Sequence, residues 1–444
     1  MRFPLLLVSM PVLAVSFAFG VSTRGENSAE PTMAHAVQQQ VSNDPITRLQ
    51  AQMDAGTVSL VHDTLNGYLR SVLSALKVPV SSQGLVFSRT SLQTELIATW
   101  APRALYFNDE VYVGFVQGSE FLEIATVSPT EGAVFYTLDQ ELKEKPSFKR
   151  NNTCLSCHRS RSTTGVPGFM VLSSIVDKSG YFLSAVHEGP TVDATPVRNR
   201  FGGWYVTGTI GSGTHSGNVF SPKTFSDFDD RADARKQLDF VVESQRTNLN
   251  GKVELDPYIA PHSDIVALMV LVHETSVHNS MTVVRDAAVK ALREDSAVSR
   301  YLKDTTFAQT KIVTSTRLLS AVERLVRDML FIGAAPIDGP MKGTSNYAAE
   351  FAQLGPRDSK GRSLRDFDLQ TRLFKYPLSF LIYSRGFDEL PEIARKAVYK
   401  RLYEILSGQE RGDEFGQLPD AERKVLLEIL TETKPEFAAS VFAR

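Results

Sequence analysis

The chain is poor in cysteine and tryptophan, with two of each among its 444 residues. Without a third cysteine, a zinc site built on thiolates lacks ligands. Neither sign of charge is in excess, since 48 Lys and Arg residues stand against 50 Asp and Glu residues and the formal net charge is −2. This balance indicates neither a nucleic-acid partner nor binding to a charged membrane surface.

Long apolar runs are also scarce. One follows Arg2, extends from Pro4 to Phe19 and ends in small residues that suit signal peptidase. It is short for a membrane span and contains two prolines, so residues 1–20 are predicted to be a signal peptide cleaved after Gly20. Residues 21–44 are predicted to be a flexible leader. Because no second apolar stretch reaches spanning length, we expect a periplasmic or secreted protein with no membrane span after cleavage.

Both cysteines stand beside a histidine, in the run Cys154-Leu-Ser-Cys157-His158. This spacing is typical of c-type haem attachment, in which two thiols bond the haem vinyl groups and the adjacent histidine is the proximal iron ligand. Export agrees with this interpretation, because bacteria attach haem covalently outside the cytoplasm. The sequence therefore predicts one covalent haem c and leaves no cysteine for a structural disulfide.

Two other interpretations of the motif are a redox-active dithiol and half of a zinc site. A thioredoxin-type dithiol follows a strand and opens a helix, whereas the segment before Cys154 is polar and basic. A zinc site needs more ligands, and the next histidine, His187, lies beyond zinc-finger spacing.

The pattern along the chain predicts an α+β protein. Residues 45–228 are expected to hold a helix pair and a β-rich region with the haem segment, because short β-like runs alternate with turns such as Asn108-Asp109-Glu110 and Asp177-Lys178-Ser179-Gly180. Residues 229–444 are expected to be α-helical and to cover the haem. Helical periodicity is found over 232–249, 262–295, 315–332, 344–354, 388–407 and 419–431.

The sixth position on the iron decides between electron transfer and catalysis. His273 is the favoured distal candidate, because helical geometry places it on an apolar face with Met269, Val270 and Val277, about 140° from His278. The alternative for His273 is a hydrogen-bonded core histidine. His215, in a Gly-rich loop, is the second candidate, and its alternative is an exposed loop histidine. The remaining candidates are Met170, His187, His262, His278 and Met281.

At the motif the chain resembles c-type cytochromes. The resemblance implies thioether links at Cys154 and Cys157 and iron ligation by His158. The rest of the chain departs from the small mitochondrial type, and a single motif departs from the di-haem cytochrome c peroxidases. Segments such as "PRALYFNDEVYVG" and "GGWYVTG" resemble those of large secreted bacterial proteins with one such motif, which implies no activity.

Two functions of different classes therefore stand. The first is a mono-haem electron-transfer protein that exchanges electrons with a redox partner protein or a small donor or acceptor. The second is a mono-haem redox enzyme of the peroxidase, oxygenase or nitrogen-oxide type, with an open distal site. A redox or gas sensor that changes its sixth ligand is a third interpretation, although no signalling module is evident.

Overall fold

The computed structural model describes residues 43–186, 189–221, 243–302, 315–410 and 412–442, with side chains in the long helix described as far as residue 294. The predicted signal peptide, nearly all of the predicted leader, His187 and the first part of the helix predicted over 232–249 lie outside these residues. All described residues belong to one compact unit.

The described helices and strands confirm the predicted α+β class. In chain order the helices are α1 (Pro45–Asp54), α2 (Leu69–Ala75), α3 (Leu155–His158), α4 (Ile265–Leu302), α5 (Thr316–Met329), α6 (Tyr347–Ala352), α7 (Arg385–Asp388), α8 (Glu392–Leu406), α9 (Asp420–Thr433) and α10 (Pro435–Phe442). The strands are β1 (Gly84–Val86), β2 (Arg103–Phe107), β3 (Val111–Phe115), β4 (Phe121–Ser128), β5 (Gly132–Asp139), β6 (Phe148–Arg150), β7 (Ser174–Val176), β8 (Phe182–Ala185), β9 (Trp204–Tyr205), β10 (Gly208–Ile210) and β11 (Met341–Gly343).

Seven strands form an antiparallel sheet in the order β6-β5-β4-β3-β2-β1-β9. The hairpin predicted at Asn108-Asp109-Glu110 joins β2 to β3, and the Asn108 side chain accepts hydrogen bonds from the backbone N–H groups of Glu110 and Val111. The second predicted hairpin is formed by β7 and β8. The segment "GGWYVTGTIG" is divided between two strands, because β9 pairs with β1 whereas β10 pairs with β11.

The large sheet separates two hydrophobic cores, because successive side chains of a strand point to opposite faces. Tyr106, Val113 and Ile124 face a core that includes side chains from α1 and α2. Tyr112 and Phe135 face the other core, which includes much of α4 and the C-terminal helices. The motif helix α3 and the cavity described below lie on this second face.

The C-terminal half is mainly helical, as predicted. Helices α4, α5, α6, α8 and α9 lie within or close to the ranges predicted over 262–295, 315–332, 344–354, 388–407 and 419–431. Asp264 caps α4 by accepting hydrogen bonds from the N–H groups of Val266 and Ala267, at 2.8 and 3.2 Å. Among the described residues, none of the helices has the length and hydrophobicity to cross a bilayer.

Candidate functional site

The motif occupies a single helical turn. Cys154 immediately precedes α3, and Cys157 and His158 end it. Side chains at positions i, i+3 and i+4 of a helix share one face, so both thiols and the imidazole project to the same side. A hydrogen bond of 2.8 Å from the Asn151 N–H to the Phe135 carbonyl ties the start of the motif to β5. Cys154 is half-buried and Cys157 is exposed, and the two thiols are not bonded to each other.

All three motif side chains line a cavity of about 570 Å³ on the face of the large sheet. This volume lies within the range of small-molecule and cofactor sites. Two cross-strand rows form its floor. One row is Leu105, Gly114, Glu123 and Thr137, and the other is Tyr112, Ala125 and Phe135. Further walls come from Phe169, Val171, Leu172 and Trp204, and from Leu271 and Thr275 of α4.

Gly114 keeps the floor flat. Its φ is not positive, so the backbone does not require glycine there. A Cβ at this position would meet its nearest neighbours at 3.5 Å, an ordinary contact distance. A larger side chain would therefore be tolerated by the strand and would project into the cavity.

The imidazole of His158 is held in one orientation. Its Nδ1 lies 2.9 Å from the Gly168 backbone oxygen. A carbonyl can only accept, so Nδ1 carries the hydrogen and the Nε2 lone pair is left for another partner. Burial lowers the pKa of His158 below its usual value, which keeps the ring neutral at neutral pH. The Phe135 ring packs against the imidazole with a centroid separation of 4.7 Å.

Helix α4 fixes the segment that holds His158. Asn279 accepts a hydrogen bond from the Phe169 N–H and donates one to the Phe169 carbonyl, each at 2.8 Å. A Cβ on Gly168 would lie 2.3 Å from the Asn279 side-chain oxygen, so this close approach requires glycine. Imidazole ligands in metal sites are oriented by the same kind of bond from the second ring nitrogen.

Charged groups also line the cavity. Arg103 and Glu123 form an ion pair at 3.0 Å, and Glu123 accepts a 2.7 Å hydrogen bond from the Ser91 hydroxyl. Burial raises the pKa of the Cys154 thiol to about 11, with a smaller contribution from the negative charge of Glu123. The thiol is therefore protonated at neutral pH.

His273, the favoured distal candidate, has both ring nitrogens in contact with other side chains. His273 is fully buried and does not line the cavity. Its Nδ1 lies 2.7 Å from the Asp193 carboxylate and its Nε2 lies 2.8 Å from the Ser379 hydroxyl. The ring also stacks on Phe331 at 4.2 Å. Both nitrogens are engaged, so His273 is a hydrogen-bonded core histidine.

Asp193, His273 and Ser379 have the order of a hydrolase triad. However, Ser379 is fully buried and lines neither the 570 Å³ cavity nor a smaller one of about 210 Å³ that Asp193 borders. A nucleophilic serine needs contact with a substrate, so this arrangement stabilises the core.

His215, the second candidate, lies away from this cavity and is not an exposed loop residue. It is 1% exposed and does not line the cavity. Its Nδ1 accepts a hydrogen bond of 3.1 Å from the Gly217 N–H. Burial lowers the pKa of His215 to about 4, so it is neutral at neutral pH.

Of the other distal candidates within the described residues, Met170 lines the cavity, whereas His262, His278 and Met281 do not. No sequence motif pointed to Tyr112, Gly114, Glu123 and Phe135, which belong to the floor. The sequence feature that points to these residues is the alternation of side chains between the two faces of "VYVGFV" and its neighbouring strands. This alternation identifies one face of a sheet but does not show what packs against that face.

Comparison with known proteins gives no match: no family model, curated protein or solved structure is similar to this chain. In the parts of the chain that the structure describes, no three His, Cys, Asp or Glu side chains are grouped so that they could hold a metal ion.

Proposed function

We propose that the protein is a mono-haem c-type cytochrome that acts in electron transfer. The observation that carries the proposal is that Cys154, Cys157 and His158 all line one cavity of about 570 Å³ above a largely apolar sheet face. A porphyrin is a large, mostly apolar plate, and such a cavity with a few polar groups suits it.

The residues present fit covalently attached haem. Cys154 and Cys157 would each add their S–H across one vinyl group, so a C–S bond forms and the proton ends on the neighbouring carbon. His158 would hold the iron through Nε2, with Nδ1 oriented by Gly168. Phe135 and Tyr112 exclude water from the floor. The bound group would supply a one-electron iron centre.

The protonation state of the Cys154 thiol favours haem attachment over a redox-active dithiol. Dithiols of the Cys-x-x-Cys type work through a thiolate whose pKa is lowered. Burial instead raises the pKa of Cys154 to about 11. A zinc half-site is likewise disfavoured, because the motif residues face a cavity with apolar walls.

Met170 is proposed as the sixth ligand. Among the described residues that line the cavity, Met170 and the motif residues are the side chains with a thioether, thiol or imidazole donor. Histidine and methionine on opposite sides of the iron are typical of cytochromes c. Two strong ligands support electron transfer with a partner protein or a small donor or acceptor.

An open distal site is the second candidate, and the Arg103–Glu123 pair in the wall favours it. A carboxylate within the cavity could act as a general acid or base toward a ligand of the iron, as in a mono-haem redox enzyme. Either function places the mature protein in the periplasm or outside the cell, after removal of residues 1–20.

The two functions are separated by an optical spectrum of protein matured in a haem-attaching bacterial host and reduced with dithionite. Sharp low-spin bands that carbon monoxide does not change are expected for two protein ligands. A Soret band that shifts on addition of carbon monoxide would contradict electron transfer through a six-coordinate iron and support the enzyme.

A further inference from the structure

Next to Tyr112 in the cavity floor lie two polar side chains, Glu274 and His278, that the proposed function does not use. Tyr112 lines the cavity, and its ring centroid is 6.3 Å from that of His278, edge to face. The ring centroid of the imidazole is also 5.8 Å from that of Phe169, which belongs to the cavity wall. Glu274 lies four residues before His278 on α4, so the two share a helix face.

These polar groups are buried and incompletely hydrogen-bonded. Glu274 is 1% exposed and His278 is 2% exposed. Within the described residues, the Tyr112 hydroxyl and Glu274 Oε2 have no hydrogen-bond partner, and the His278 ring interacts with the backbone of Asp109 without a well-formed hydrogen bond. An unpaired buried polar atom costs about 1–3 kcal/mol, and proteins bridge such atoms with internal water. The cluster therefore offers buried polar atoms that could hold a proton.

The charges around Glu274 come from several elements. Asp109, in the turn between β2 and β3, forms an ion pair with Arg365, which follows α6. The other titratable groups that act on this cluster are Tyr347 and His273. The Asp109 side chain is 31% exposed, so the cluster reaches solvent at that point.

Burial shifts the pKa values of Glu274 and His278 in opposite directions. Burial raises the pKa of Glu274 well above its usual value, with Asp109 adding to the shift and Arg365 opposing it. Burial lowers the pKa of His278 to about 3, and the nearby His273 adds to this shift. Both shifts favour the neutral form, so burial favours a carboxylic acid at Glu274 and a neutral imidazole at His278, one helical turn further along α4.

We propose that Glu274, with His278 and Tyr112, forms a proton-binding site that exchanges one proton with solvent when an iron ligated by His158 changes oxidation state. The proposal rests on the proposed haem site. Loss of an electron to a one-electron acceptor protein would leave an added positive charge on the other side of Tyr112, which favours the carboxylate, so the O–H bond of Glu274 breaks and its proton passes to water. When a one-electron donor protein returns the electron, an O–H bond forms at Glu274 with a proton that enters from water beside Asp109.

The test is the midpoint potential of the haem-loaded protein between pH 5 and 9. The wild-type potential is expected to fall with rising pH over part of this range, by up to about 59 mV per pH unit, the value for one proton per electron. Glu274→Gln is expected to abolish this dependence. Glu294→Gln, an exposed position on the same helix, is the matched control and is expected to keep it.

A wild-type potential that does not vary with pH, or a Glu274→Gln curve that follows the wild type, would overturn the proposal. If Glu274→Gln does not fold, Glu274→Asp replaces it. This variant is expected to shift the pH range over which the midpoint potential falls. A Glu274→Asp curve identical to that of the wild type would also overturn the proposal.

Infrared spectroscopy of haem-free protein separates failure of the proton site from failure of the haem site. The C=O band of a protonated carboxylic acid is expected at pH 7 in wild type and should be lost in Glu274→Gln. Its absence in wild type overturns the proton site even where haem is attached. A protein that shows the band but attaches no haem refutes the redox coupling together with the proposed function.

Discussion

His158 and Gly168 are joined by two reciprocal hydrogen bonds. The His158 ring donates from Nδ1 to the Gly168 oxygen at 2.9 Å, and the Gly168 N–H donates to the His158 oxygen at 2.9 Å. The ring plane and tautomer are thus set by the backbone before any metal binds, which reduces the cost of ligation.

Filling the cavity floor should prevent haem attachment without unfolding the protein. Gly114→Phe places a ring into the space above β3, where a Cβ itself causes no clash. The ratio of haem absorbance to protein is expected to fall to a small fraction of the wild-type value, with an unchanged circular dichroism spectrum. Gly416→Phe, at an exposed position, is the control. Normal haem content in Gly114→Phe would show that haem does not use this cavity.

Removal of Met170 should open the iron. Met170→Leu keeps the volume of the side chain but removes the thioether, so the reduced protein is expected to become high-spin and to bind carbon monoxide. Met281→Leu changes a buried methionine that does not line the cavity, and its spectrum is expected to match that of the wild type. If the reduced Met170→Leu protein remains low-spin, Met170 is not a ligand of the iron.

Replacement of His273 should affect stability and leave the haem spectrum unchanged. His273→Ala leaves Asp193 and Ser379 without their partner and creates a cavity beside Phe331. We expect a loss of about 2–5 kcal/mol in the free energy of unfolding, measured with urea. A shift to high-spin iron with unchanged stability would restore His273 as a ligand.

Buried neutral histidine should make stability depend on pH. The pKa of His215 is lowered to about 4 by burial, against about 6.5 in an unfolded chain. Between these values the unfolded state binds the extra proton, so the stabilising contribution of His215 is complete above about pH 6.5 and decreases as the pH falls.

The test compares the free energy of unfolding of wild type with that of His215→Gln. The difference between the two cancels the contributions of groups such as Glu274, whose pKa shift makes stability change with pH in the opposite direction. The difference in unfolding free energy is expected to decrease by about 1.2 kcal/mol on going from pH 6 to pH 5. A difference that does not vary with pH would indicate that His215 is solvated in the folded protein.

Local sequence signals predicted much of the fold. The β2–β3 hairpin follows from Asn108, whose side chain can accept from the turn backbone. The helices follow from apolar spacing. By contrast, the division of "GGWYVTGTIG" into β9 and β10 depends on pairing with β1 and β11, which are distant in sequence.

The candidate site was predicted in part. The motif residues can be recognised from their spacing in the sequence. The side of α4 that faces the cavity cannot be recognised in this way. Helix α4 is buried on nearly all sides between residues 265 and 282, so the most apolar face need not be the one beside a cofactor. The face that includes Leu271 and Thr275 meets the cavity, and His273 points into the helical core. Apolar periodicity shows that a helix face is buried, but it does not show which part of the protein or which cofactor packs against that face.

The central claim is that Cys154 and Cys157 hold one haem. Its most direct test is the intact mass of the denatured protein after maturation in a haem-attaching host. The mass of the mature wild-type chain is expected to increase by that of one haem, and Cys154→Ser/Cys157→Ser is expected to show no increase. Wild-type protein with two free thiols and no added mass would contradict the account.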